Sequence, residues 1–168
     1  NFVCCGSPMV SGGYIDDARI NAAKNVELLK GWVDRGYDII TACTSCGLML
    51  KQEYQELFDF DGMSEYAQHM YDSIEYLTKL NDEHEFSTDF VKTDTKYIYH
   101  APCHLKVQSI GRPSMELLPL IPGIKIEEAD AGCCGISGSY GFKADKNEIA
   151  MKVGSKLFNK IKSSHADL

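Results

Sequence analysis

The chemistry available to this sequence sits in seven cysteines: Cys4, Cys5, Cys43, Cys46, Cys103, Cys133 and Cys134. They form two adjacent pairs, each followed by glycine, one C-x-x-C (Cys43-Thr-Ser-Cys46) and one single residue. An odd count with adjacent pairs makes a poor disulfide framework, and no export signal opens the chain. Such clusters more often hold metal or do redox work. Burial as small hydrophobes would explain one or two of these thiols, but not their spacing. Thiolates are soft ligands that favour iron–sulfur clusters, zinc or cuprous copper. A C-x-x-C sets two sulfurs on one turn, and neighbouring cysteines diverge enough to reach different irons of one cluster. Gly6 and Gly135, which follow the two pairs, permit tight turns whose backbone N–H groups can reach cluster sulfurs.

The cysteines also reveal an internal repeat. A shift of about 129 residues lays Cys4-Cys5-Gly6 on Cys133-Cys134-Gly135, and with them Gly12 on Gly141, Asp16 on Asp145 and Asp38 on Asp167. Asp38 stands five positions before Cys43-Thr-Ser-Cys46, so the C-x-x-C of the second copy is expected beyond Leu168. Cys103 stands 30 positions before Cys133, so its counterpart in the first copy is expected before Asn1. Each complete copy would carry five thiols, and the chain reads as part of a longer protein. Five thiolates exceed by one the four that a regular cubane takes. The surplus points to a bridging thiolate, an opened cluster or a non-ligand redox thiol.

Zinc is the main structural alternative, because Cys4, Cys5, Cys43 and Cys46 would give it four thiolates. The five-thiol repeat suits zinc less well. A dithiol oxidoreductase using Cys43 and Cys46 is a third reading, though no activating cation adjoins that pair. His100 and His104 flank Cys103 and are candidates for ligation, for hydrogen bonds to ligands or for proton shuttling; capping the strand end serves equally well. His69, His84 and His165 carry no special signal.

These side chains need elements to hold them. Residues 37–43 (YDIITAC), 96–100 (KYIYH) and 124–128 (IKIEE) read as strands, each leading toward a cysteine. Helices are expected at about 15–35, 46–58, 64–80, 113–120 and 145–163, with Pro113 opening the fourth. Ile15, Ala18, Ala22, Val26, Leu29 and Val33 fall at helical spacing in the first copy, and Ile149, Val153, Leu157 and Ile161 in the second; both stripes are expected to face cores. The alternation gives an α/β fold with two pseudo-repeated halves, short mostly parallel strands and flanking helices. The cysteine motifs then lie at strand ends, where ligands collect in such folds. The organisation expected is a first repeat at 1–80, an acidic linker at 81–95 and a second repeat at 96–168.

Acidic residues number 24 against 17 basic ones, and a net charge of −7 argues against nucleic-acid binding. No P-loop, dinucleotide fingerprint or nucleophile elbow is present.

The Cys-Cys-Gly repeats resemble the cysteine-rich CCG domain of heterodisulfide reductase and related iron–sulfur subunits. Tyr99-His-Ala-Pro-Cys103-His-Leu, Ser109-Ile-Gly-Arg-Pro113 and Asp130-Ala-Gly-Cys133-Cys-Gly-Ile-Ser-Gly138 are similar to iron–sulfur subunits of the anaerobic glycerol-3-phosphate dehydrogenase type. The resemblance implies an electron-transfer subunit with ferredoxin-type clusters in a further region. It would take electrons from flavoprotein dehydrogenase subunits and pass them to membrane quinone, as a cytoplasmic protein peripheral at the inner face of the membrane. A complete motif in this family holds a non-cubane 4Fe–4S cluster. Carried over, Cys4, Cys5, Cys43 and Cys46 belong to a first site and Cys103, Cys133 and Cys134 to a second, with His100, His104, Gly6 and Gly135 around them. With both motifs incomplete, the isolated chain is expected to be empty or to carry adventitious zinc. Lactate- or glycolate-oxidising complexes and heterodisulfide cleavage are the neighbouring readings.

Overall fold

A computed structural model describes residues 2–167. Two compact units emerge: residues through Tyr76 together with Val107–Ser109, and Leu77–Lys106 together with Ile110 onward.

The first unit opens with the Cys-Cys-Gly turn and a short helix, α1 (Ser7–Ser11), followed by the long helix α2 (Ile15–Val33). Asp16 and Asp17 in the first turn of α2 and Lys30 in its last turn complement the helix dipole. Ala18, Ala22, Val26 and Leu29 form the buried stripe expected from the sequence, while Ile15 at its start stays exposed. Gly36, at φ 85°, ends the helical segment and turns the chain into β1 (Ile39–Thr41). Next comes a run of helix, α3 (Thr44–Leu48), a π-helical turn (Met49–Glu53) and α4 (Tyr54–Phe58), where one helix was expected. The wider π turn begins three residues after Cys46, and Leu48, Met49, Leu50 and Tyr54 are all buried around it.

The helix expected over 64–80 is corrected. Its place is taken by α5 (Met63–Ala67), β2 (Met70–Asp72) and α6 (Ser73–Asp82), the last carrying the chain into the second unit. β2 exists because its backbone pairs in parallel with β1, Ile39 opposite Met70 and Thr41 opposite Asp72. That pairing spans about thirty residues of chain, so no local periodicity announces it. Met49, Leu50, Tyr54, Phe58, Met63 and Met70 close over the α2 stripe to complete the core of this unit.

The second unit is built on β3 (Thr95–Tyr99) and β4 (Ile124–Glu128), parallel and in register from Thr95–Ile124 to Tyr99–Glu128. Between them run α7 (Cys103–Val107) and α8 (Pro113–Leu117), the latter with Pro113 at its first turn as expected. Arg112, just before α8, donates to Glu128 at the end of β4 (2.8 Å). The chain ends in α9 (Asn147–Ser163). Here the expected stripe is corrected: only Leu157 is buried, and Ile149, Val153 and Ile161 are 52, 49 and 42% exposed. The buried face of α9 is instead Ala150, Gly154 and Leu157.

A rigid shift of 129 also needs correction. Gly6 packs on Ala18 and Gly135 on Ala150, so the second helix enters three residues later relative to its turn. Two 3-10 turns, Tyr140–Phe142 and Ala144–Lys146, take up the difference. Asp16 therefore lies inside α2, whereas Asp145 precedes α9 and pairs with Lys146. The copies regain register at the helix ends, where Gly36 and His165 both adopt positive φ.

Candidate metal centres

In the first unit Cys5, Cys43 and Cys46 come together. Cys5 lies in the turn before α1, Cys43 immediately precedes α3 two residues beyond β1, and Cys46 sits in the first turn of α3. Gly47 N donates to the Cys43 carbonyl (2.9 Å), fixing that turn. The backbone N–H groups of Cys46 and Ser45 beside its sulfur pull the Cys43 thiol below the ordinary range. Burial, and then a hydrogen bond to Cys5, pushes Cys46 up to about 12. Burial likewise raises Cys5, against the opposing pull of the Ser7 N–H. Cys4, exposed, lies near enough to bear electrostatically on Cys5. Without metal, Cys46 therefore holds a proton between two sulfurs, and any ligand that takes these thiolates must displace it.

Two residues fasten this turn that the sequence reading did not single out. Asn25, buried in mid-α2, accepts from Val3 N (3.1 Å) and donates to the carbonyls of Val3 (3.2 Å) and Cys4 (3.3 Å). It also donates to Tyr54 Oη (3.2 Å), which in turn donates to the Cys5 carbonyl (2.8 Å). Burial pushes the Tyr54 phenol up to about 12, so it stays a neutral donor. A signal was available: Asn25 interrupts an otherwise apolar helical stripe, and a buried amide needs partners.

In the second unit Cys103 begins α7 four residues past β3, and Cys133 and Cys134 follow β4 by five and six. Gly135 N donates to Cys133 Sγ (3.3 Å). Cys134 and Ile98 both pack on a small cluster of Ala129, Ala131 and Leu157. Cys103 and Cys133 are exposed. At the end of β3 the two ring nitrogens of His100 and the Tyr99 hydroxyl are buried without a hydrogen-bond partner. His104 lies in α7.

Among the described residues, no three His, Cys, Asp or Glu side chains gather round a single ion. A cluster of several irons spreads its thiolates wider than one ion does, and the donor set suits it on other grounds. The first unit offers four soft thiols with backbone N–H groups already directed at the Cys5 and Cys43 sulfurs. The second offers three thiols at the carboxyl ends of two paired strands, with an N–H on Cys133.

The family model described as "CCG: Cysteine-rich domain" matches residues 1–51 and 97–168. A subunit of the anaerobic glycerol-3-phosphate dehydrogenase of Escherichia coli (strain K12) is 33% identical over 166 residues, covering 98% of this chain and 41% of that protein. A subunit of the fumarate reductase (CoM/CoB) of Methanothermobacter marburgensis is 32% identical over 169 residues, 98% of this chain and 31% of its own length. Lactate utilization protein A 2 from Bacillus cereus (strain AH820) is 27% identical over 173 residues, 98% of this chain and 68% of its own. The chain thus spans about two fifths of the first of these relatives. No solved structure matches it significantly. Among the described residues, no helix is long and apolar enough to cross a membrane.

Proposed function

The chain belongs to the cysteine-rich CCG domain family, and from that premise we propose that it is the thiol-rich part of an iron–sulfur electron-transfer subunit in an oxidoreductase complex. The observation that carries this reading is the packed set of Cys5, Cys43 and Cys46 beside Cys4, with backbone N–H groups on two of the sulfurs. Bound iron–sulfur clusters of the 4Fe–4S type, cubane or opened, would supply one-electron acceptance and release. Cys4, Cys5, Cys43 and Cys46 hold the first, and Cys103, Cys133 and Cys134 contribute to the second. The N–H donors of Ser7, Ser45, Cys46 and Gly135 hold charge on these sulfurs, and the Asn25–Tyr54 clamp keeps the first turn in place.

Likeness to the anaerobic glycerol-3-phosphate dehydrogenase relative supports a finer reading. In it, flavoprotein subunits oxidise glycerol 3-phosphate, this subunit relays the electrons, and quinone at the inner face of the membrane receives them. The protein is then longer than this chain. Its first repeat (1–80) and second repeat (96–168), joined by the acidic stretch 81–95, are each completed by residues outside the chain. The likeness to a lactate utilization protein, of which the chain covers 68%, supports lactate as the alternative source of electrons.

The test is an anaerobic iron and acid-labile sulfide count, with EPR, on the full-length subunit and its Cys4→Ser, Cys133→Ser double variant. We expect the variant to lose iron and a distinct EPR signal. Unchanged iron and spectra would remove the cysteine pairs from the ligand set and return zinc or dithiol chemistry to the front. Reduction of the loaded protein by each flavoprotein dehydrogenase with its substrate then separates glycerol 3-phosphate from lactate.

A further inference from the structure

Among the described residues, His100 has two buried ring nitrogens that the protein itself leaves unexplained. An imidazole carries at least one N–H donor in either tautomer and in its protonated form. Both ring nitrogens of His100 are buried without a partner. Native proteins rarely leave such groups unmatched, so an orphan of this kind calls for an absent partner. Its position indicates which partner. Ile98, two residues earlier, packs on the cluster of Ala129, Ala131 and Leu157, and so does Cys134. The pairing of β3 with β4 continues past the strand's last residue, where Ala129 N donates to the Tyr99 carbonyl (2.7 Å). Side chains alternate along extended backbone, which puts His100 on the face of Ile98 and Cys134, displaced toward the strand's carboxyl end. Cys103 and the Cys133–Cys134 pair follow the carboxyl ends of β3 and β4. Tyr99 takes the opposite face, where its phenol bears electrostatically on Arg112.

We infer that His100 donates a ring N–H hydrogen bond to a sulfur of the second thiol site, thiolate or bridging sulfide, and thereby favours its reduced form. The inference rests on the iron–sulfur reading above. Reduction adds negative charge to the sulfurs, and a donor whose ring nitrogens are buried strengthens its bond to them as that charge grows. His100 is then a determinant of redox potential rather than a ligand, and the sequence segment His100-Ala-Pro-Cys103 couples the donor to the thiol it serves.

The experiment is an EPR-monitored redox titration of the anaerobically loaded full-length subunit in three forms: wild type, His100→Leu and His100→Gln. Each sample has iron counted and is also measured by pulsed EPR after exchange into D2O and with ¹⁵N-histidine. We expect His100→Leu to keep its iron while the reduced-to-oxidised ratio at the wild-type midpoint falls about tenfold, a drop of roughly 59 mV for one electron. An exchangeable-proton coupling present in the wild type should vanish with it. His100→Gln, which keeps an N–H donor, should fall between the two. An unchanged midpoint in His100→Leu with full iron overturns the inference. So does a ¹⁵N coupling large enough for a direct iron–nitrogen bond, which would make His100 a ligand. Equal loss of iron from both variants overturns it too, by assigning His100 a structural role. If the wild type carries no cluster that depends on Cys133, the parent reading fails, and it fails in the iron count rather than in the potential.

Discussion

The two Cys-Cys-Gly turns share a sequence and are held by different means. In the first unit the turn is tied by hydrogen bonds, with Asn25 of α2 bridging the backbone of Val3 and Cys4 and Tyr54 of α4 reaching the Cys5 carbonyl. In the second, close packing does the same work. Gly135 lies against the Ala150 backbone of α9, and a Cβ on Gly154 would stand 2.6 Å from the Cys134 carbonyl. The difference follows from what else each unit has. Tyr54 belongs to the segment of residues 49–70 that closes over α2. Among the described residues nothing comparable covers α9, whose Ile149, Val153 and Ile161 face outward. A motif that fixes two thiols thus leaves the means of fixing them open. A polar clamp tolerates small shifts of the helix, whereas backbone-to-backbone packing demands small residues at fixed places.

The sharpest test of this contrast compares Gly135→Ala with Gly6→Ala. Both glycines adopt positive φ, 86° and 94°, so alanine is strained at either place. At Gly6 the new Cβ would meet the Ala18 Cβ at 3.2 Å, a contact that a small shift relieves. At Gly135 it would fall well inside contact distance of the Ala150 carbonyl, backbone that cannot turn aside. We expect Gly135→Ala to cost about 4 kcal/mol or more and Gly6→Ala about 1–2 kcal/mol, read by urea unfolding of the whole chain. Equal costs would mean that the second turn is not packed as tightly as the first is tied.

Next in size is the clamp itself. Asn25→Leu leaves the carbonyls of Val3 and Cys4 and the buried Tyr54 hydroxyl short of a donor, for an expected loss of about 2–3 kcal/mol. Tyr54→Phe removes two hydrogen bonds, the one accepted from Asn25 and the one donated to the Cys5 carbonyl, and should cost about 1–2 kcal/mol. Trp32, the single tryptophan, lies in α2, so its fluorescence follows the first unit alone. If Asn25→Leu proved neutral by that signal, apolar packing rather than hydrogen bonding would hold both turns.

Much of this arrangement was legible in the residues, and the failures have a common cause. The positions of three of the four cysteine groups just past strands followed from short β-branched and aromatic runs ending near a thiol, whereas Cys4 and Cys5 follow no strand. β4 matches the expected 124–128, and Pro113 marks the start of α8. β2 was missed because three residues carry no period of their own and become a strand only by pairing with distant β1. The apolar stripe of α9 was misread because periodicity shows that a helix is two-faced without showing what covers the apolar face. The Asn25–Tyr54 contact joins residues 29 positions apart, and only Asn25's place in an apolar stripe hinted at it. Local chemistry named the candidate thiols, and long-range packing chose how to hold them.

The smallest expected effect is one of pH, and it separates the units by sign. In the first unit burial raises the folded values of Cys5, of Cys46 (to about 12, from 9.0) and of Tyr54 (to about 12, from 10.0). A raised group contributes stability that is complete below its unfolded value and is lost as pH climbs toward its folded one. The reduced, metal-free first unit should therefore weaken from about pH 9, and more steeply above 10 once tyrosine ionisation favours the unfolded chain. Cys43, lowered by the Cys46 N–H, has the opposite sign: its contribution persists above pH 9 and is lost as pH falls through its folded value. In the second unit the shifted carboxylate is Glu127, lowered by its hydrogen bond from Lys160, so its contribution holds above 4.5 and fades as pH falls below it. Being exposed, it should leave only a slight acid-side trend, whereas partial exposure of Cys46 should limit the alkaline loss to about 1 kcal/mol. Urea midpoints across pH, read by Trp32 for the first unit and by circular dichroism for the whole chain, test this directly. Cys46→Ala should flatten the alkaline decline and leave the acid side untouched; a Trp32 midpoint constant from pH 8 to 11 would show that Cys46 does not hold its proton between two sulfurs.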